Sequence, residues 1–451
     1  GLMDARVDRA PVLALTGQVA TQYLGPGNFQ ECDLESAFAP FSAFSKTVLH
    51  PRSANELVAL ALKHAITRAD VGHLILPDEV QVLPLAEDGK PAPREGRLPD
   101  FDIEPAGEAL EAAMEVLKAA KRPVFILGHG AREAASEIIA LAEHIDAPIV
   151  TTFKGKGIVP DSHPLACGVL GRSGTPVGSW FMNESDVLVV CGASFSKHTG
   201  ITEKKTIIQV DRDPMQLGKF HGVDVPLWGE IQRTVIHFRQ AFPEATARGS
   251  AEEIKTRWGL WRAEKKKRAR DDRGLGLCAA FIFQHLSEAV PEDAVIAVDV
   301  GNNTYSFGRY FESKGQPVLM SGYMGAIGFG LPAGIGAACA APDKKVITVC
   351  GDGGLGQYLA DFTTWVNCDM NLTHVVLNNN ELGKISKEQR SGNFGVWQTS
   401  LVNPDFAAFA RNCGALGISV TDAGELASAL REALDHPGPA LVEVKGDVDL
   451  I

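Results

Sequence analysis

No stretch of this sequence approaches the roughly 18 consecutive apolar residues of a membrane-spanning helix, so no span is expected within it. No secretory leader is recognised at its start either, and a cytoplasmic location is expected. A surplus of positive charge is also missing: 43 Lys and Arg stand against 55 Asp and Glu, a formal net charge of −12. Such a surface repels polyanions, so neither nucleic acid nor a membrane is expected as a partner. The one basic run, Lys265-Lys266-Lys267-Arg268, follows Trp258 and Trp261 and reads as a solvated helix face. Among eight cysteines there is no CxxC pair and no metal-site spacing. Several sit in apolar runs, which reads as small core residues in a reducing compartment. No GxGxxG follows a strand with an acid about twenty residues later, which counts against a nicotinamide-binding fingerprint. No short repeat of solenoid type is found.

What the sequence does have is alternation. Short apolar, β-branched runs bounded by Gly and Pro are separated by amphipathic stretches, the pattern of buried parallel strands in βαβ units. Strands are expected at 12–16, 73–76, 123–127, 148–152, 187–190, 206–210, 294–298, 346–349, 373–377 and 440–444. Helices are expected at 106–120, 131–144 and 425–434, with a further helix-like stretch at about 355–366. Two Pro-, Gly- and charge-rich segments, 86–105 and 243–274, read as linkers, the second with a surface helix. They leave three blocks, 1–85, 106–242 and 275–451. The fold class expected is α/β, with three open, mostly parallel-sheet domains.

The densest signal is Cys350-Gly351-Asp352-Gly353-Gly354, followed further on by Leu377-Asn378-Asn379-Asn380-Glu381. Each segment closes an expected strand, and ligands of open parallel sheets bind beyond such strand ends. Gly351, Gly353 and Gly354 allow close backbone approach, and their N–H groups can meet a diphosphate. Asp352 offers a hard carboxylate oxygen and Asn379 a neutral one, which suits octahedral Mg²⁺.

These residues resemble the thiamine-diphosphate (ThDP) motif of the pyruvate oxidase and acetolactate synthase family, and the spacing from Asp352 to Asn379 fits that family's pattern. The resemblance implies that Asp352, the Asn379 side chain and the main-chain carbonyl of Glu381 bind the metal. Asp299-Val300-Gly301-Asn302-Asn303 is similar to the family's first diphosphate loop, and Gly322-Tyr323-Met324-Gly325 to its GxMG turn. Asp299, Gly301, Asn302, Asn303, Gly322, Met324, Gly351, Gly353, Gly354, Asn379 and Leu382 are therefore implied cofactor contacts, with Met324 holding the cofactor bent. Ser386-Lys387-Glu388-Gln389 resembles a run in pyruvate oxidases whose Glu lies near the reacting carbon, which makes Glu388 a catalytic candidate. Phe29-Gln30-Glu31 resembles the family's F-Q-E segment, so Phe29 and Gln30 are expected to line the substrate side, with Phe44 nearby.

By the same resemblance, 1–85 is the C-terminal part of a pyrimidine-binding domain, 106–242 a central domain that binds FAD in several members, and 275–451 the pyrophosphate- and Mg²⁺-binding domain. Gly128-His129-Gly130 and Gly171-Arg172-Ser173-Gly174 belong to the central signals. The implied reaction is ThDP- and Mg²⁺-dependent decarboxylation of pyruvate or a related 2-oxo acid. Acyl-carbanion transfer or oxidation by FAD would follow, in a homodimer or homotetramer with the site between chains. Departures are visible. Lys384 stands where pyruvate oxidases often carry a ring, and Gln357 where relatives often have an apolar residue. The family's activating glutamate belongs to a segment earlier than Gly1. Two alternatives stay open, a catalytically impaired ThDP-binding subunit and a nicotinamide-dependent α/β enzyme.

Overall fold

The runs Pro123–Leu127 and Val187–Cys191 are buried at every position, as strands must be when helices cover both faces of a parallel sheet. A computed structural model describes residues 1–84, 95–196, 198–202 and 204–449. Among these residues the strands form three sheets, and every pairing is parallel. The first contains β1 (Val12–Gln18), β2 (Phe44–Thr47) and β3 (Val71–Pro77) in the order β1-β3-β2. The second contains β4 (Pro123–Leu127), β5 (Ile149–Thr151), β6 (Ala166–Val169), β7 (Val187–Cys191), β8 (Thr206–Asp211) and β9 (Val225–Trp228), in the order β6-β5-β4-β7-β8-β9. The third contains β10 (Val295–Val298), β11 (Val318–Leu319), β12 (Val346–Gly351), β13 (Leu372–Asn378), β14 (Leu416–Val420) and β15 (Ala440–Lys445), in the order β11-β10-β12-β13-β15-β14.

The chain divides into two compact units. The first is Gly1–Phe101 with Ser321–Gly325, and carries the three-stranded sheet. Its helix Pro51–Arg68 lies so close to β3 that a Cβ on Gly72 would stand 2.4 Å from the Ala61 carbonyl oxygen. The segment Ser321–Gly325 is tied in by Ser321 Oγ donating to Asp4 at 2.5 Å and the Gly322 N–H donating to Asp8 at 3.2 Å.

The second unit, Asp102–Met320 with Ala326–Ile451, carries both six-stranded sheets. One apolar core runs through it from Phe125 and Ile208 to Phe283 and Phe307. The helix Ser250–Arg268 buries Ile254, Trp258 and Trp261 in that core, and Trp258 Nε1 donates to the Ala166 carbonyl at 2.7 Å. The reading of its basic end as a solvated face needs correction: Lys266 and Lys267 are exposed, but Arg262 and Lys265 both pair with Glu312. The last residues of the expected first linker, from Asp102, also pack within this unit. The Glu230 N–H donates to Ile103 at 2.7 Å, and Arg233 pairs with Asp102. Residues 86–94 of that linker lie outside the described residues.

The helix expected at about 355–366 is three short pieces instead, Asp352–Gly356, Leu359–Asp361 and Phe362–Asn367. Three glycines in the first five residues explain the break, since each weakens a helix by about 1 kcal/mol relative to Ala. In the third sheet the chain runs from β10 outward to β11 and then returns on the other side of β10 as β12. That reversal opens a crevice beyond the C-terminal ends of β10 and β12, where ligands of such sheets bind.

Candidate functional site

Three neighbouring strand tips bring polar residues to this crevice: Asp299 follows β10, Asp352 follows β12, and Asn378–Asn380 close β13. Asp352 is only 3% exposed. Its Oδ1 accepts the Gly353 N–H at 2.9 Å, while Oδ2 accepts the Asn380 N–H at 2.7 Å and Asn403 Nδ2 at 2.8 Å. Burial pushes its pKa up, and these hydrogen bonds pull the other way.

The Asn run is a pair of overlapping turns. Asn378 Oδ1 accepts the Asn380 N–H at 3.2 Å, and Asn379 Oδ1 accepts the Glu381 N–H at 3.1 Å. Asn380 sits at φ 56°, a left-handed conformation that Asn tolerates better than most residues. A carbonyl oxygen has two lone pairs, so Asn379 Oδ1 keeps one for a cation.

Across the crevice, Gly301 has φ 138°, which only glycine adopts easily, and it leads into the helix Asn302–Tyr310. Asn303 Nδ2 and Thr304 Oγ1 donate to the Asp299 carbonyl at 2.7 and 2.5 Å, fixing that helix start to the β10 tip. Asn302 Nδ2 is shielded from solvent and donates to nothing. The glycines are required by packing. A Cβ on Gly354 would lie 2.5 Å from Asp299 Oδ2, and one on Gly353 would lie 2.7 Å from Leu382 Cδ2.

Asp299 is almost wholly buried, and both its carboxylate oxygens accept the Gly328 N–H, at 2.9 and 3.1 Å. Burial pushes its pKa from 3.8 to about 6. A carboxyl raised in the folded state holds its proton more tightly there. Its contribution to stability is fully present below 3.8 and is lost as pH rises through about 6. Asp299→Asn is therefore expected to flatten the pH dependence of unfolding between pH 4 and 7 by about 3 kcal/mol. Urea unfolding of the cofactor-free protein at several pH values measures this, and an unchanged slope would refute it.

Within the second unit the structure thus gathers Asp299, Gly301, Asn302, Asn303, Gly351, Asp352, Gly353, Gly354, Asn379, Glu381 and Leu382 around one sheet edge. Glu388 lies on the helix Gly383–Ser391, exposed and hydrogen-bonded to Lys384 Nζ at 2.6 Å. That bond holds its pKa below the usual carboxylate range, so Glu388 is an anion at neutral pH. Lys384 Nζ also stands 5.2 Å from the Tyr305 ring centre, and Gln357 is exposed.

Phe29, Gln30, Gly322 and Met324 belong to the first unit, and all four are exposed there, Phe29 at 88%. Gln30 takes φ 61° in a loop organised by Glu31, whose carboxylate accepts the N–H groups of Gly25, Gly27 and Asn28 at 2.6, 2.7 and 2.8 Å. Phe44 stacks on His64 at 5.0 Å. In the central sheet Gly128 and Gly192 meet backbone to backbone, since a Cβ on Gly128 would lie 2.1 Å from the Gly192 carbonyl oxygen.

Sequence reasoning passed over Asn403, Glu443 and the partner role of Asn378. Asn403-Pro404-Asp405 looks like a simple turn, and Asp405 does cap the next helix by accepting the Ala408 N–H at 2.8 Å. A signal was present in β15, where Glu443 interrupts an apolar run.

Apart from the Asp299 carboxylate, which accepts main-chain N–H groups, the oxygens at this crevice are the Asp352 carboxylate, the amides of the Asn run and main-chain carbonyls. Among the described residues no three His, Cys, Asp or Glu side chains gather into a metal cage. A cation here would draw the rest of its shell from phosphate and water, which is the habit of Mg²⁺. The orphaned Asn302 amide and the N-terminal N–H groups of its helix fit an anionic oxygen.

Fold and site together define a parallel α/β protein with a polar, glycine-lined crevice at a sheet switch point. Residues 110–238 match the family described as thiamine pyrophosphate enzyme, central domain, and residues 299–444 match thiamine pyrophosphate enzyme, C-terminal TPP binding domain. The chain is 34% identical to the putative thiamine pyrophosphate-containing protein YdaP of Bacillus subtilis, over 98% of this chain and 77% of that protein. It is 29% identical to a probable acetolactate synthase large subunit of Methanococcus aeolicus, over 98% and 78%. It is also 29% identical to the acetolactate synthase isozyme 1 large subunit of Escherichia coli, over 99% and 80%. The chain belongs to the thiamine pyrophosphate enzyme family.

Proposed function

We propose that this protein is a ThDP- and Mg²⁺-dependent carboligase that decarboxylates pyruvate or a related 2-oxo acid and passes the acyl unit to a second 2-oxo acid. Asp352 and Asn379 carry the proposal. They stand on adjacent strands, β12 and β13, beside the switch point, with hard oxygens within one crevice. Two relatives named as acetolactate synthase large subunits support carboligation. Lys384 supports it as well, because an ion-paired ammonium occupies the place where oxidases often carry a ring. The nicotinamide alternative has no support in either family match.

Bound ThDP supplies the electron sink for decarboxylation. Asp352, the Asn379 side chain and the Glu381 carbonyl would hold the cation. Asn302, Asn303 and the N–H groups of Gly353 and Gly354 would receive the diphosphate, with Leu382 packed beside Gly353. Glu388, an anion held by Lys384, would orient substrate charge rather than donate a proton. Residues 1–85, 106–242 and 275–451 would serve as the pyrimidine-binding part, the central domain and the pyrophosphate-binding domain. The working site would lie between subunits of a homodimer or homotetramer, where Phe29 and Gln30 of one chain and Met324 meet the substrate side. The exposed Phe29, Phe394 and Trp397 support such a covering partner.

The test is a spectrum of the purified full-length protein, followed by pyruvate, ThDP and Mg²⁺. Acetolactate formation without bleaching of a flavin band is expected. Bleaching of an FAD band under pyruvate would move the assignment to oxidation. Absence of any pyruvate or 2-oxo acid turnover would overturn the proposal in favour of an impaired ThDP-binding subunit.

A further inference from the structure

We infer that Glu443, acting through Asn378 and Asn403, positions the Asp352 carboxylate for its cation; this rests on the metal reading above. Glu443 is 1% exposed in the middle of β15. A buried carboxylate is costly unless donors surround it. Three do so here. Lys445 Nζ at 2.7 Å and Asn378 Nδ2 at 2.6 Å donate to Oε1, and the Ala407 N–H at 3.2 Å donates to Oε2.

A carboxylate only accepts, so it dictates which way the Asn378 amide faces: NH₂ toward Glu443, Oδ1 away. That oxygen accepts from Asn403 Nδ2 at 3.0 Å and from the Asn380 N–H at 3.2 Å. Asn403 is oriented in turn, and its Nδ2 also donates to Asp352 Oδ2 at 2.8 Å. With the Asn380 N–H at 2.7 Å, Oδ2 is engaged by two donors. Oδ1 accepts the neighbouring Gly353 N–H at 2.9 Å, and is the oxygen presented for a metal bond. A fixed negative charge on β15 thus sets, through two amides, the orientation of a carboxylate on β12, across the intervening strand β13.

Residues one step removed from a metal typically change its affinity ten- to a hundredfold when removed. Asn403→Ala breaks the last link. Glu443→Gln keeps the shape but lets its own amide turn either way, so the order of Asn378 is no longer dictated. The probe is Mn²⁺ with ThDP, read by electron paramagnetic resonance on the full chain, with the thermal midpoint of the metal-free protein measured alongside. Asn403→Ala is expected to weaken Mn²⁺ binding about ten- to a hundredfold, and Glu443→Gln to weaken it less. The double variant should bind no more weakly than Asn403→Ala, because both act along one path. Unchanged Mn²⁺ affinity in both single variants overturns the inference. So does a lowered thermal midpoint with unchanged affinity, or additive losses in the double variant. Asp352→Ala is the separate control: if it binds Mn²⁺ as the wild type does, the metal reading itself fails, and the inference with it.

Discussion

Asp352→Ala should abolish turnover of 2-oxo acids and remove Mg²⁺-dependent ThDP binding, with a loss of metal affinity beyond the roughly hundredfold typical of residues outside the coordination shell. The carboxylate is the one formal charge among the proposed protein ligands, the others being an amide oxygen and a main-chain carbonyl. Its loss also takes one acceptor from the Asn380 N–H and from Asn403 Nδ2, both of which keep Asn378 Oδ1, at 3.2 and 3.0 Å. That costs less than the roughly 1–3 kcal/mol of a buried donor left with no acceptor, and is offset in part because a buried carboxylate is itself unfavourable. The fold is therefore expected to survive, which circular dichroism checks. Because burial raises the Asp352 pKa, protons should compete with the metal at a higher pH than at an ordinary aspartate. Mg²⁺ affinity of the wild type should fall as pH is lowered, beginning above the pH at which an ordinary aspartate takes up its proton. Full activity in the Ala variant, or Mg²⁺ affinity indifferent to lowered pH, would refute the assignment.

How far the sequence could be read follows from where each strand lies in its sheet. Central strands such as β4 and β7 are buried at every position, so an unbroken apolar run announced them. The strands that went unforeseen, β2, β6, β9, β11 and β14, are all sheet edges. β11 spans only Val318–Leu319, too short to show any period. β9 alternates buried and exposed and contains Pro226, which an edge tolerates and a central strand does not. At the candidate site, Asp352 and Asn379 could be found because glycines and strand ends mark them in one dimension. Asn403 and Glu443 could not, because their meaning comes only from hydrogen bonds to residues far away in the chain. The Lys265–Arg268 run was read too simply for the same reason: its partner, Glu312, is distant in sequence.

Asp161→Ala is expected to be the most damaging change away from the crevice, at about 3–5 kcal/mol. Lys156 and Asp161 are 2% and 6% exposed and lie 3.0 Å apart. Asp161 Oδ2 also accepts the Ser313 N–H at 2.6 Å, and the Asp161 N–H donates to the Ser313 carbonyl at 2.8 Å. The loop after β5 is thereby pinned to the segment leading into β11. At Gly157 the approach is closer still: φ is 86°, and a Cβ would fall 1.9 Å from the Gln316 carbonyl oxygen. Removing the carboxylate leaves a buried ammonium whose nearest compensation is the Phe311 and Phe307 rings, 5.9 and 6.0 Å away. Rings at that distance recover about 1–2 kcal/mol at most. The paired change Lys156→Met with Asp161→Leu should recover most of the loss, since an apolar pair of similar volume avoids both desolvation terms. Urea unfolding measures the ladder of the three proteins, and amide exchange at Val318 and Leu319 should quicken in the single variant, because β11 is a two-residue strand that pairs, among the described residues, with β10 alone. A double variant as unstable as Asp161→Ala would mean that the loss comes from the Ser313 hydrogen bonds rather than from the stranded charge.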